Sequence, residues 1–229
     1  QFEAALQSVT YINTADEPSG AVVQAIGNDG SAERTISFVV NDGDFDSDSR
    51  TAVVTVLMVN DPPRIDLNGP NEDGVDIVMT YTEKTGPASL GTDAATYVDV
   101  DDTRFASATI ALDITPDGEK EFISVSANAA IVGSESGAII QLEAASNHDL
   151  VSVLRTLEYT NLVTDPYMPD ASPRTVTVTV DDGRLETVAI VRITFASVND
   201  PPFIDLNGDA EGTDFNVTFT EERGSVVVV

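Results

Sequence analysis

The chain of 229 residues has no cysteine and no tryptophan, and its only histidine is His148. Without cysteine there is no disulfide framework and no thiolate metal site. That absence leaves an extracellular location open, because domains of this size need no covalent staples. Basic residues are scarce: 11 Lys and Arg stand against 39 Asp and Glu, a formal net charge of −28. Such a surface repels nucleic acid and anionic membranes and favours bound cations or heavy solvation. No apolar run approaches the roughly 20 residues of a membrane helix. No signal peptide is visible at Gln1. Aromatic residues make up 6% of the chain, few for a sugar-stacking surface, whereas 41% hydrophobic content supplies a core.

What the chain does have is a repeated stretch. Val59-Asn60-Asp61-Pro62-Pro63-Arg64-Ile65-Asp66-Leu67-Asn68-Gly69 recurs as Val198-Asn199-Asp200-Pro201-Pro202-Phe203-Ile204-Asp205-Leu206-Asn207-Gly208. Ten of the eleven positions are identical, and Asp200 lies 139 residues after Asp61. Two successive prolines remove two backbone donors and fix φ, so neither a helix nor a central strand passes through. Each copy follows one β-like run and precedes another, as a joint between tandem domains does.

The repeat extends beyond the joint. Residues 2–13 align with 150–161, each read as a helical turn feeding a strand. A loop follows, holding Asp16 to Gly20 in the first copy and Asp165 to Pro169 in the second. Then Ile36, Phe38 and Val40 alternate with polar residues, as do Val176, Val178 and Val180 with threonines. This is the pattern of a half-buried antiparallel strand ending in an Asx-Gly turn, at Asp42-Gly43 and Asp182-Gly183. The returning strands, 51–59 and 187–195, lead into the joints. Between the joints, about eight short runs are separated by turns such as Pro116-Asp117-Gly118, the spacing of a β-sandwich. Beyond the second joint, 216–221 matches 78–83. The expected organisation is the C-terminal half of one repeat (1–61), a complete repeat (62–200) and the first strands of a third (201–229). The fold class expected is all-β, with tandem Greek-key β-sandwich domains. The interrupted first and third units predict a window on a longer repeat chain, or a subunit completed by its neighbours.

Carboxylates gather near the joints. Asn60 and Asp61 belong to the first, and Glu83 sits on the strand just beyond it. Asp99 and Asp101 form a D-x-D about 40 residues past the joint, and Asp42 ends the hairpin of the preceding unit. The second joint repeats the set with Asp182, Asn199, Asp200 and Glu221. A hard cation such as calcium takes six to eight oxygen ligands, and alternate residues of a D-x-D both turn towards one ion. Each aspartate is equally an ordinary turn former; Asp46 and Asp48 are read as solvated loop charge.

The Asn-Asp-Pro-Pro joint, the strand Thr-Glu and the D-x-D, in that order along the whole chain, resemble cadherin repeats. The longer series IDLNG, (F/Y)TE, DVD, LRTLxY, RTVTVTVxDG and VNDPP is similar to the cadherin-like repeats of large secreted surface adhesins. The resemblance implies immunoglobulin-like sandwiches with Ca2+ at each junction, bound by a strand glutamate, the linker Asx residues and the D-x-D. It implies an extracellular or cell-surface adhesin or filament protein, not an enzyme, whose partners are neighbouring repeats of the same or another copy, calcium and glycans. The family's second linker asparagine and its D-R-E tripeptide are missing, so Asp42 and Asp182 are expected in the latter's place.

Two alternatives remain at this level. One is a filament subunit completed by strand donation, with Val226–Val229 as the donor. The other is a carbohydrate-active or carbohydrate-binding module. Asn216-Val217-Thr218 is a glycosylation sequon, with Asn216 expected to point outward. His148 falls at a repeat position with no special counterpart and reads as a loop residue; no Gly-rich phosphate loop links a strand to a helix.

Overall fold

The computed structural model describes residues 2–15, 31–126, 136–164, 167–208 and 211–228. The elements in chain order are α1 (Phe2–Leu6), β1 (Ser31–Phe38), β2 (Arg50–Leu57), β3 (Arg64–Asp66), β4 (Ile77–Thr82), β5 (Ala88–Ser89) and β6 (Thr96–Val98). They continue with β7 (Ser107–Leu112), a 3-10 turn (Gly118–Lys120), β8 (Glu121–Ser124), β9 (Ser136–Gly137), β10 (Ile139–Glu143), α2 (Asn147–Arg155), β11 (Glu158–Asn161), β12 (Arg174–Asp181) and β13 (Glu186–Ala196). The protein is mostly β, as expected, and is built from several sheets. The first-copy loop, Asp16 to Gly20, lies outside the described residues, as do Asp165, Pro166 and Val229.

Between the joints, a five-stranded sheet has the order β10-β7-β12-β13-β4 and a four-stranded sheet the order β5-β11-β8-β9. One core cluster draws on both. Ile110, Ile140, Val176, Val178, Val180, Val191 and Ile193 come from the first sheet, Ile123 and Tyr159 from the second, all fully buried. The strict alternation of β12, buried at Arg174, Val176, Val178 and Val180, follows from the period of two in side-chain direction. The threonines between them take the other face, where β-branched side chains suit a pleated surface.

Helix α2 is short and closed by its own sequence. The Ser146 hydroxyl accepts the Asp149 amide (3.2 Å) and donates to the Asp149 carboxylate (2.6 Å), a reciprocal N-terminal cap. Leu150, Val153 and Leu154 share one face and are buried in the common core. Against this helix end runs Gly91, where an added Cβ would lie 1.9 Å from the Leu154 carbonyl oxygen. No larger residue fits that approach.

β4 lies parallel to β13 at the sheet edge, with Tyr81 opposite Phe195 and Thr82 opposite Ala196. One feature differs from the sequence expectation: 211–228 contains no strand, although 216–221 repeats the β4 sequence. A lone strand without a sheet edge leaves its backbone groups to water and gains little from its side chains. Val217 and Phe219 are correspondingly exposed, so the alternation expected to turn Asn216 outward has no inner face to work against.

A polar knot is buried at the β13 end of the core. Arg174 is fully buried, ion-paired to the buried Glu121 and within 3.4 Å of Asp117, and its guanidinium lies 4.4 Å from the centre of the Phe195 ring. The Tyr159 hydroxyl donates to Glu121 at 2.6 Å. Tyr81 and Phe195 each meet the Tyr159 ring edge-on and are tilted to one another, with centroids 5.0–6.1 Å apart. Arg174→Ala should therefore destabilise the fold by about 3–5 kcal/mol, since Glu121 would be left as an unpaired buried charge. Adding Glu121→Gln, which still accepts from Tyr159, should recover part of that loss. Equal denaturant midpoints for single and double variants would refute the pairing.

Candidate metal-binding joints

The candidate ligands divide between two ends of the central unit, and the division is set by β13. At its beginning, the β12–β13 turn closes on Asp182. The Asp182 amide donates to the Leu185 carbonyl (3.1 Å), and its Oδ1 accepts the amides of Arg184 (2.7 Å) and Leu185 (2.8 Å). That is the turn chemistry expected of an Asx residue. The other oxygen, Oδ2, accepts the side-chain amide of Asn60 at 2.9 Å. Asp182 is fully buried. It belongs to the first joint, not to the second.

The D-x-D reaches the same place. Asp99 Oδ1 accepts the amides of Asp101 and Asp102, both at 2.9 Å. These two bonds fold the loop and leave Asp99 Oδ2 buried with no hydrogen-bond partner. Asp101 Oδ2 accepts the backbone amide of Asp61 at 2.6 Å. Asn60 folds over its neighbour, donating to the Asp61 carbonyl at 3.1 Å. Asp102 is 3% exposed, and its carbonyl accepts from Asn147 (2.8 Å). Thus Asn60, Asp61, Asp99, Asp101 and Asp182 meet, and Asp102 joins them.

Beneath this group lies Tyr97, 5% exposed, with its hydroxyl unpartnered. Burial pushes its pKa up, and the charges of Asp99, Asp182, Asp102 and Asp181 push it further. A buried hydroxyl facing carboxylates without donating to one is costly. Neither Tyr97 nor Asp102 was singled out from the sequence. Asp102 is visible there as the last residue of Asp99-Val100-Asp101-Asp102, whereas Tyr97 carries no sequence signal beyond its place two residues before Asp99.

Glu83 lies at the opposite end. Parallel pairing carries β4 along β13 to its exit, where the Glu83 amide donates to Ala196 (3.2 Å) and its carboxylate accepts the Val198 amide. The ten residue steps of β13 put about 30 Å between this point and Asp182. Glu83, 3% exposed, is thus a residue of the second joint. There Asn199 folds over the Asp200 carbonyl (3.3 Å), as Asn60 does over Asp61. Lys84, in left-handed backbone conformation (φ 65°), forms an ion pair with Asp200.

Asp42 makes the same turn as Asp182, accepting the amides of Asp44 (3.0 Å) and Phe45 (2.9 Å). It sits at the turn end of the β1–β2 hairpin, a strand's length from the first joint. Glu221 is exposed and follows the unpaired 216–220 segment. Three expected groupings therefore change. Asp42 and Asp182 each lie one joint earlier than sequence order implies, because a hairpin turn is at the opposite end from the strand exit. Glu83 lies one joint later, because β4 runs with β13. Asp48 faces Arg50 at 3.5 Å, both largely exposed, as a solvated pair.

Among the described residues, no three carboxylate or imidazole groups converge closely enough to hold an ion as they stand. The donor chemistry at the first joint is nonetheless all oxygen, with one buried carboxylate oxygen and one buried hydroxyl unpaired, which suits a hard cation. Comparison with protein-family models gives no match, and comparison with curated proteins gives no significant one.

Burial, followed by the charges of Asp182 and Asp61, holds the Asp99 carboxyl above its ordinary 3.8, against the two backbone bonds that lower it. A folded-state pKa above the unfolded value means the folded protein binds the proton more tightly. This group therefore weakens the fold at neutral pH, and the penalty is relieved as pH falls through the raised value. Asp42 has the opposite sign: the Phe45 and Asp44 amides lower its pKa, so its contribution is lost on acidification. In chelator at neutral pH, Asp99→Asn should melt higher than the wild type and lack the acid-side gain. A lower melting temperature for the variant would contradict this assignment.

Proposed function

We propose that the chain is a segment of a calcium-stiffened extracellular repeat protein, a surface adhesin or filament, in which sandwiches act as spacers between ion-binding joints. The observation that carries this reading is the meeting of Asn60, Asp61, Asp99, Asp101 and Asp182 at the first joint, with an unpaired carboxylate oxygen and the unpaired Tyr97 hydroxyl among them. The repeat supplies the rest. Each joint would take a strand glutamate from the unit before it, the Asn-Asp of the linker, and the D-x-D and hairpin aspartate of the unit after it. At the second joint the first two contributions are Glu83 and Asn199-Asp200. The Greek-key sandwich and the cadherin-like character belong to this proposal, as do extracellular location, glycan attachment at Asn216 and the absence of enzymatic activity.

Calcium would supply charge neutralisation and a shared coordination sphere. The residues do the positioning. Asp61 is tied by its amide to Asp101, and Asn60 by its side chain to Asp182, so the linker is already moored to the central unit. Pro62 and Pro63 limit the backbone that follows. Without the ion, clustered carboxylates repel one another and the joint loosens.

Two predictions test this. Calcium at about a hundred times its Kd should add about 2.7 kcal/mol per site, or roughly 5–10 °C in the melting of a chain this size. It should also narrow the distance distribution in small-angle scattering. Superimposable melts and scattering in calcium and in chelator would sink the proposal. The regrouping of ligands makes the second prediction. In calcium titrations, Asp101→Asn and Asp182→Asn should be strongly non-additive because they share a site, whereas Asp101→Asn and Glu83→Gln should be additive. Asp48→Asn should have little effect. Equal losses from all four would mean diffuse screening.

A further inference from the structure

Three tyrosines are buried among the described residues, and two of them are satisfied. The Tyr81 hydroxyl donates to the Asn161 carbonyl (3.2 Å) and the Tyr159 hydroxyl to Glu121 (2.6 Å). The Tyr97 hydroxyl is also buried and has no hydrogen-bond partner. Its position follows from the strand. β6 alternates, so Tyr97 turns inward between Thr96 and Val98, and Asp99, two residues on, returns towards the same face. β3, which continues the Asn60–Pro63 linker, pairs with β6 and sets Ile65 opposite Tyr97. The ring joins the core of the central unit, while the hydroxyl lies in the field of Asp99, Asp182, Asp102 and Asp181.

A hydroxyl carries one proton to donate and two lone pairs to satisfy. Carboxylates can take the proton, but the lone pairs need a donor or a cation. The donors at this joint are already used. The amides of Asp101 and Asp102 go to Asp99 Oδ1, that of Asp61 to Asp101 and that of Asp182 to the Leu185 carbonyl. The side-chain amide of Asn60 goes to Asp182 and the Asp61 carbonyl, and that of Asn147 to the Asp102 carbonyl. Asp99 Oδ2 and Asn147 Oδ1 are buried and unpartnered as well. Three oxygens able to accept thus lie at the Asp99–Asp102 loop with nothing to accept from. They are enclosed by the central unit, so what suits them is as small as an ion or its water, not a further stretch of chain.

We propose that the Tyr97 hydroxyl is part of the cation's shell at the first joint. It turns a lone pair to the ion, directly or through one bound water, and its proton to a carboxylate. This rests on the calcium-binding reading of the joint, and it adds a neutral oxygen from inside the central unit to donors from the linker and loops. Calcium accepts such a mixed shell of carboxylate and neutral oxygens. Phenylalanine would fill the same space in the core and leave no unsatisfied hydroxyl. Tyrosine therefore weakens the central unit without the ion and strengthens it with the ion. Because Tyr97 faces Ile65 on β3, that dependence reaches the strand that continues the linker.

The chain has five tyrosines and no tryptophan, so light that phenylalanine does not absorb excites a bound lanthanide through tyrosine alone. In calcium titrations of the full chain, Asp101→Asn should weaken binding, which places the ion at the first joint. Tyr97→Phe should weaken it about tenfold. In chelator the same variant should melt higher than the wild type, and its rise in melting temperature on adding calcium should be smaller. Terbium bound in place of calcium should emit on tyrosine excitation, and most of that emission should be lost in Tyr97→Phe. Unchanged calcium affinity in Tyr97→Phe beside a loss in Asp101→Asn would overturn the role of the hydroxyl and leave the joint standing. No loss in Asp101→Asn would overturn both. A Tyr97→Phe chain that melts lower by the same amount in chelator and in calcium would make Tyr97 a packing residue, and undiminished terbium emission from that variant would equally overturn the proposal.

Discussion

β13 is bonded on one side to β12, antiparallel, and on the other to β4, parallel. An antiparallel neighbour returns the chain to the end it came from, whereas a parallel neighbour must run the sheet's full length in the same sense. The β12–β13 turn therefore places Asp182 at the start of β13, beside the D-x-D and the first joint. The β4 exit places Glu83 at its far end, beside the second. The placing of Asp182 at the first joint and of Glu83 at the second follows from these two pairings. The proposed division of labour, one end of a unit receiving the linker and the other emitting it, depends on them as well.

The two ends are held differently. At the first joint, backbone amides and an asparagine side chain hold the carboxylates, with a buried tyrosine hydroxyl beneath them. At the second, the supporting layer is the aromatic trio of Tyr81, Tyr159 and Phe195 over the Arg174–Glu121 pair. Breaking that pair exposes no site directly, but it disturbs the strand that delivers Val198 and the second linker. Lys84 adds a cation on Asp200 at this end, so the two joints differ in charge although their linkers are nearly identical.

Much of the fold is visible in the sequence. The alternation of Val176, Val178 and Val180, the Asx-Gly turns, the helical face of Leu150 and Leu154 and, among the described residues, the absence of long helices all appear in the structure, because they depend on side-chain period and local turn chemistry. The joint residues Asn60, Asp61, Asp99 and Asp101 are also legible as a set. Asp42, Glu83 and Asp182 are not correctly grouped by sequence order, since strand direction is a property of pairing and not of spacing. Tyr97 is invisible as a site residue for a similar reason: its significance comes from which charges the fold packs above it. The 216–221 segment shows the opposite failure. Its pattern is that of a strand, but a strand forms only against a bonded edge, and among the described residues this segment pairs with none.

The sequence by itself determined the repeat, its period, the positions of the turns and joints, and the residue types available as oxygen donors, because each of these is written in local chemistry. The tertiary structure alone decided which donors share a joint. That outcome depends on whether β4 runs with or against β13. That choice rests on the burial of Tyr81 and Met79 against Phe195 and Ile193, contacts more than a hundred residues apart in the chain.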